Sequence, residues 1–219
     1  MIEQLIKHDQ RWSTFLHAVD YVNYESVPGD IMEFGVFAGC SLALLAKAYS
    51  FDNKGMTRRI IGFDSFEGLP ISEEKHPRWR PGDCRTNHAW HPLLEINGPV
   101  MPQVTIDLFK ACQLPAPLIE VGPFHATLPC LVPAKYPAVA LLHVDCDLYE
   151  STRDVLQGIA PALQDGSLVL FDDWFHYKGN PNRGEAAAFR EFLQVHPEWE
   201  AVHYRSFGTF CNSFILHRK

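Results

Sequence analysis

Two apolar runs in this sequence end in carboxylates. "LLHVDCDLYEST" (141–152) carries Asp145 and Asp147, and "SLVLFDDW" (167–174) ends in Asp172 and Asp173. If the two runs are neighbouring strands of one sheet, Asp145, Asp172 and Asp173 converge beyond the carboxyl ends, where α/β sheets bind ligands. Three carboxylates in one crevice raise each other's pKa unless a cation lies among them. A hard divalent ion with oxygen ligands meets that need. Mg2+ is the simplest choice, because it keeps waters that substrate oxygens can replace. Asp145, Asp172 and Asp173 are therefore the candidate metal ligands. Asp147 either supports the cluster or caps a helix starting near 149, and His143, in mid-strand, reads as a hydrogen-bonded core residue.

A second signal lies upstream in "EFGVFAGCS" (33–41). Gly35 permits a turn that a Cβ would block, and Gly39 lets a ligand approach the start of a helix, whose free N–H groups favour negative charge. The spacing is E-x-G-x-x-x-G, not the G-x-G-x-x-G of a dinucleotide fingerprint. Glu33 beside the loop repels a diphosphate but attracts the ammonium of a methionyl group, which favours S-adenosylmethionine. In "IIGFDSFEGLP" (60–70), Asp64 ends the next apolar run, where an acidic residue can accept both hydroxyls of a ribose. An NAD-dependent oxidoreductase uses the same device, and a non-catalytic binding protein could keep the same fold. The Asp172–Asp173 pair and the glycine spacing speak for the methyl donor over both.

The elements that must hold these groups alternate along the chain. Short apolar runs at 31–35, 59–64, 118–122, 138–145 and 167–172 read as strands, the first of them buried, and helical spacing appears at 40–50, 105–114, 149–163 and 184–197. The early strands lack polar alternation, so both sheet faces are covered and the sheet is parallel. Two last strands, 200–205 and 209–217, are separated by Gly208 and predict an antiparallel hairpin at one edge. The expectation is a single α/β domain over 1–219: a three-layer, doubly wound, mostly parallel seven-stranded sheet. It is preceded by one amphipathic helix within 1–28 that places Leu5, Trp12, Phe15, Leu16, Val19 and Val22 on one face. The stretch 71–102 breaks the rhythm. Rich in Pro, His, Arg and Trp, it reads as a lid or substrate loop. Its His91, and His176 and Lys178 after the second acidic pair, are candidate substrate contacts.

Bulk properties narrow the partners. The chain has 219 residues, is 47% hydrophobic and carries a net charge of −7, with no long basic run to hold nucleic acid or an anionic membrane. No apolar stretch approaches the roughly 20 residues of a membrane span, and the first residues lack the apolar core of a signal peptide. The six Cys form no C-x-x-C pair, which suggests a cytoplasmic protein without disulfides. The apolar N-terminal helix and exposed aromatics raise a homodimer as a candidate assembly.

Taken in order, "GDIMEFGVFAGCS", "IIGFDSFEGLP", "EVGPFHATLP", "LLHVDCDLYEST" and "LVLFDDW" resemble the macrocin-type (TylF/MycF-like) sugar O-methyltransferase family over residues 29–174. The resemblance implies a Rossmann-like class I methyltransferase fold, S-adenosylmethionine as donor and Mg2+ in the acidic cluster. Carried over residue by residue, Asp145, Asp172 and Asp173 hold the metal and Asp145 is the general base. Glu33, Gly35, Phe37, Gly39, Ser41, Asp64 and Ser65 line the donor, with Gly122 and Phe124 on its adenine side. The family implies a small sugar-type acceptor. The segments 71–102 and 174–189 depart from its pattern, and these are the segments that should select the acceptor.

Overall fold

The run "VALLHV" forms β4 (Val139–Val144), every residue of which is buried. Its side chains divide between two cores: Ala140 and Leu141 join one, and Val139, Leu142 and Val144 the other, with a register irregularity between Val139 and Leu141. Burial on both faces is what a central strand between two helical layers requires. Each such Leu or Val contributes about 1.5–3 kcal/mol.

The computed structural model describes residues 1–51, 53–86 and 98–219. Around β4 lie β1 (Asp30–Phe34), β2 (Ile60–Asp64), β3 (Leu118–Val121), β5 (Leu163–Phe171), β6 (Trp199–Phe207) and β7 (Cys211–Arg218). The seven strands form one sheet in the order β3-β2-β1-β4-β5-β7-β6. Strands β1 to β5 pair in parallel, and β7 is antiparallel to both β5 and β6. The expected hairpin is therefore present at an edge, its second strand inserted beside β5. The strand order reverses between β1 and β4, the switch point at which doubly wound sheets bind ligands.

The helices are α1 (Ile2–His8), α2 (Trp12–Tyr24), α3 (Cys40–Phe51), α4 (Pro102–Ala111), α5 (Phe124–Leu131), α6 (Tyr149–Ile159), α7 (His176–Gly179) and α8 (Gly184–Val195). Phe15, Val19, Leu45 and Phe109 place α2, α3 and α4 on one face of the sheet. Leu128, Val155 and Phe189 place α5, α6 and α8 on the other. None of the helices among the described residues is long and apolar enough to cross a membrane, and all six cysteines are free.

The helices differ in detail from those expected. The N-terminal helix is two helices: Asp9 Oδ1 accepts the Arg11 N–H at 2.8 Å, and Asp9 itself is extended (φ −95°, ψ 117°), so the chain breaks between α1 and α2. Its apolar face is spent on this chain's own core, with Leu5, Phe15, Val19 and Val22 buried, which removes that argument for a dimer. "FHATLPCL" is helical as α5 despite Pro129. Pro123 precedes it as N-cap in extended conformation, and the helix ends two residues after Pro129. The helix expected over 149–163 stops at Ile159, and β5 already begins at Leu163.

Candidate active site

The sheet ladder positions the carboxylates. The Asp145 N–H donates to Phe34 O at 2.9 Å and the Asp172 N–H to Val144 O at 3.0 Å, so each side chain emerges one step beyond its neighbouring strand. Gly35 (φ +93°) makes room for them. A Cβ there would lie 1.7 Å from the Asp145 carbonyl oxygen. Gly35→Ala combines this clash with backbone strain worth about 1–3 kcal/mol. It should lower the denaturant midpoint and abolish S-adenosylhomocysteine binding in calorimetry. Gly39 (φ +83°) has a packing reason as well: its absent Cβ would meet Thr105 Cγ2 of α4 at 2.5 Å.

Beyond the strand ends opens a cavity of about 1030 Å3, at the top of the usual range of about 300–1,000 Å3 for ligand pockets. Gly35, Phe37, Ser41, Asp64, Ser65, Gly122 and Phe124 line it, as do Asp145, Asp172, Asp173 and His176. Glu33, Gly39 and Lys178 do not. Lys178 is exposed on α7. His88 and His91 lie outside the described residues. The described part of 71–102 walls the cavity through Ile71, Arg78, Trp79 and Cys84. It is tied down at Glu150, whose Oε2 accepts Ser72 Oγ–H and whose Oε1 accepts the Glu73 N–H, both at 2.8 Å. Trp79 stacks on both His76 (4.0 Å) and His176 (4.6 Å), whose rings are themselves 5.4 Å apart.

Asp64 accepts the N–H groups of Val36 and Phe37 through Oδ2, both at 2.8 Å, and that of Phe66 through Oδ1 at 2.7 Å. An ionised carboxylate offers about four acceptor sites, so about one is left for a ribose hydroxyl, not the two expected. Glu33 is fully buried in β1, with Oε2 2.9 Å from His143 Nδ1. It is turned into the protein interior and does not line the cavity.

Asp145, Asp172 and Asp173 all face the cavity, but they are not equally close to one another. Among the described residues, the group able to converge on one ion is His143, Asp145 and Asp172. Asp173 is turned aside: its N–H donates to Glu185 Oε2 at 2.9 Å and its Oδ1 lies 3.4 Å from His176 Nε2, while Oδ2 is buried without a partner. Asp147 has a left-handed backbone (φ +63°), and the residue at the N-cap of α6 is Leu148, so Asp147 is not the cap. The group sequence reasoning missed altogether is Arg11. Its Nη1 donates to Asp145 Oδ2 and to Asp172 Oδ1, each at 3.0 Å, while Nε and Nη2 are held by Asp9. "HDQR" reads simply as the polar face of a helix, and nothing in its spacing marks a residue that reaches strands more than 130 positions away.

These neighbours set the charges. Burial and the Asp172 carboxylate push Asp145 up to about 7 against the pull of Arg11. Burial opposes ionisation of Asp172 too, but Arg11 and His143 outweigh it and hold Asp172 well below the usual carboxylate range. Burial alone would neutralise His143, yet Asp172 and Glu33 raise it to about 10. Its Nε2 stands 3.6 Å from Asp172 Oδ1, an ion-pair separation and not a hydrogen bond. Burial, followed by Asp147 and Glu185, drives Asp173 strongly upward.

A doubly wound sheet of this strand order, with a glycine turn and an acidic cluster at its switch point, is the class I methyltransferase fold. The macrocin O-methyltransferase (TylF) family model matches residues 5–207, and the chain belongs to that family. It is 31% identical over 168 residues to the 8-demethyl-8-(2,3-dimethoxy-alpha-L-rhamnosyl)-tetracenomycin-C 4'-O-methyltransferase of Streptomyces olivaceus, covering 75% of this chain and 60% of that protein. It is 29% identical over 172 residues to the mycinamicin III 3''-O-methyltransferase of Micromonospora griseorubida, covering 75% of this chain and 63% of that protein. The chain thus spans less than two thirds of the length of these relatives. Among solved structures, CalS11, a calicheamicin methyltransferase, superposes with a TM-score of 0.72 at 26% identity, over 93% of this chain and 77% of that one.

Proposed function

We propose that this protein transfers a methyl group from S-adenosylmethionine to a hydroxyl of a sugar-containing small molecule, with Mg2+ held by Asp145, Asp172 and Asp173. The observation that carries the reading is the placement of Asp145 and Asp172 side by side at the switch point, sharing a cation and opening into the cavity that the glycine turn also lines. The names of the two bacterial relatives, both methyltransferases of sugar hydroxyls, support the acceptor class.

The donor set suits a hard divalent ion: Asp145 and Asp172 offer oxygens, and Asp173 Oδ2 is buried and unpartnered. His143 adds no ligand while both its nitrogens face carboxylates. When bound, Mg2+ lowers the pKa of an acceptor hydroxyl and S-adenosylmethionine supplies an electrophilic methyl group. The chain's own residues do the rest. The turn from Gly35 to Ser41 seats the donor, and Asp64 orients that turn while keeping an acceptor site for a ribose hydroxyl. Asp145 takes the acceptor proton on its carboxylate. The wall built by Trp79 and His176 keeps water from the reacting groups and holds the acceptor in line.

The test is an assay of the purified protein with S-adenosylmethionine and a panel of deoxysugar glycosides, reading S-adenosylhomocysteine by mass spectrometry. Product should form with Mg2+ and vanish with EDTA. Turnover that survives EDTA sinks the metal assignment alone, and absence of turnover with every glycoside, with or without Mg2+, counts against the acceptor class.

A further inference from the structure

We propose that Arg11 is a resident counter-ion of the Asp145–Asp172 pair that exchanges with a divalent cation: the guanidinium holds the pair in the metal-free protein and withdraws, with the corner between α1 and α2, when metal enters. The inference rests on the metal reading of this site and adds what the chain itself does there.

Three observations carry it. Arg11 Nη1 lies 3.0 Å from one oxygen of each carboxylate, so a cation bridging those same two oxygens meets the guanidinium directly. The cluster is not saturated by this contact: Asp173 lines the same cavity on a side chain that is 9% exposed, and its Oδ2 is buried without a partner. Donors for a further cation therefore remain. Arg11 also sits at a break in the chain and not within a helix. The seven-residue α1 that precedes it has one fully buried residue, Leu5, with Ile2 and Ile6 only partly buried against the same core. Asp9, which holds Nε at 3.0 Å and Nη2 at 2.9 Å, stays with Arg11 as a second anchor when the first is given up.

The physical reason for such a device is the cost of an unpaired acidic pair. Removing one partner from a buried charge cluster leaves the other charges uncompensated. Arg11 keeps the carboxylates apart and in register before metal arrives. By linkage, whatever metal binding costs in displacing Arg11, Arg11 costs metal in affinity.

The experiment measures Mn2+ binding by electron paramagnetic resonance in the native protein and in Arg11→Gln, without donor or acceptor. It also measures amide hydrogen exchange of the native protein with and without saturating Mn2+. The expected result is at least about tenfold tighter Mn2+ binding by Arg11→Gln, and faster exchange across residues 2–12 of the native protein when Mn2+ is added. Equal or weaker binding by Arg11→Gln overturns the exchange and leaves the metal reading standing. Failure of Mn2+ to bind either protein overturns both. If Arg11→Gln does not fold, the native protein decides alone: unchanged exchange across 2–12 at saturating Mn2+ overturns the proposal.

Discussion

Asp145→Asn should lower the rate of methyl transfer by about 10²–10⁴-fold, the usual contribution of a positioned general base, while S-adenosylhomocysteine binds as before. The amide has almost the same shape as the carboxylate, so the turn at Gly35, which touches the Asp145 backbone oxygen and not its side chain, is undisturbed. What is lost is the proton acceptor and one negative oxygen of the cluster. Arg11 then keeps Asp172 and Asp9 as partners, and the N-terminal corner stays in place. Single-turnover rates with a glycoside acceptor, alongside calorimetric titration of S-adenosylhomocysteine, separate the two effects. Near-native turnover would remove Asp145 from the base role. Loss of donor binding would mean that the substitution had disturbed the cofactor turn.

Glu33→Leu should destabilise the fold by about 3–5 kcal/mol, because it leaves one member of a buried ion pair alone. Both side chains are fully buried, and the Glu33–His143 contact is 2.9 Å. His143 is held up to about 10 by Asp172 and Glu33 against burial, so removing Glu33 leaves the buried imidazole with only the longer 3.6 Å contact to Asp172 and an unpaired Nδ1. The double variant Glu33→Leu/His143→Leu should recover much of the loss, since a well-packed apolar pair can replace a buried ion pair at little cost. Urea unfolding of the four proteins of the cycle checks this. A single variant within about 1 kcal/mol of native stability that has lost S-adenosylhomocysteine affinity would restore Glu33 to the donor site, the place that the sequence suggests for it.

That disagreement over Glu33 shows where a local pattern runs out. An acidic residue two before a glycine is a sound signal for a site beside the turn. In a strand, however, the direction of a side chain depends on the pleat and on which strand lies alongside, and β1 lies beside β4 with Glu33 opposite His143. The Asp172–Asp173 pair has the same difficulty: both line the cavity with Asp145, but only Asp172 stands in the tight group with Asp145 and His143, while Asp173 is drawn toward Glu185 and His176. The glycines divide similarly: Gly35 is required by the close backbone approach expected of it, while Gly39 also answers to Thr105, sixty-six residues on, which no local spacing reveals.

Local sequence determined the parts that rest on short-range physics. Unbroken apolar runs made buried parallel strands, helical spacing made the covering layers, Gly208 marked the edge hairpin, and Asp145 and Asp172 fell at strand ends because apolar runs stop where the chain leaves the core. Tertiary structure alone decided which charges meet. Asp9 breaks what periodicity reads as one helix, and the break turns Arg11 toward carboxylates on β4 and β5. Ion pairs between groups so far apart in sequence leave no periodicity behind, because they depend on where whole elements pack and not on the residues beside them.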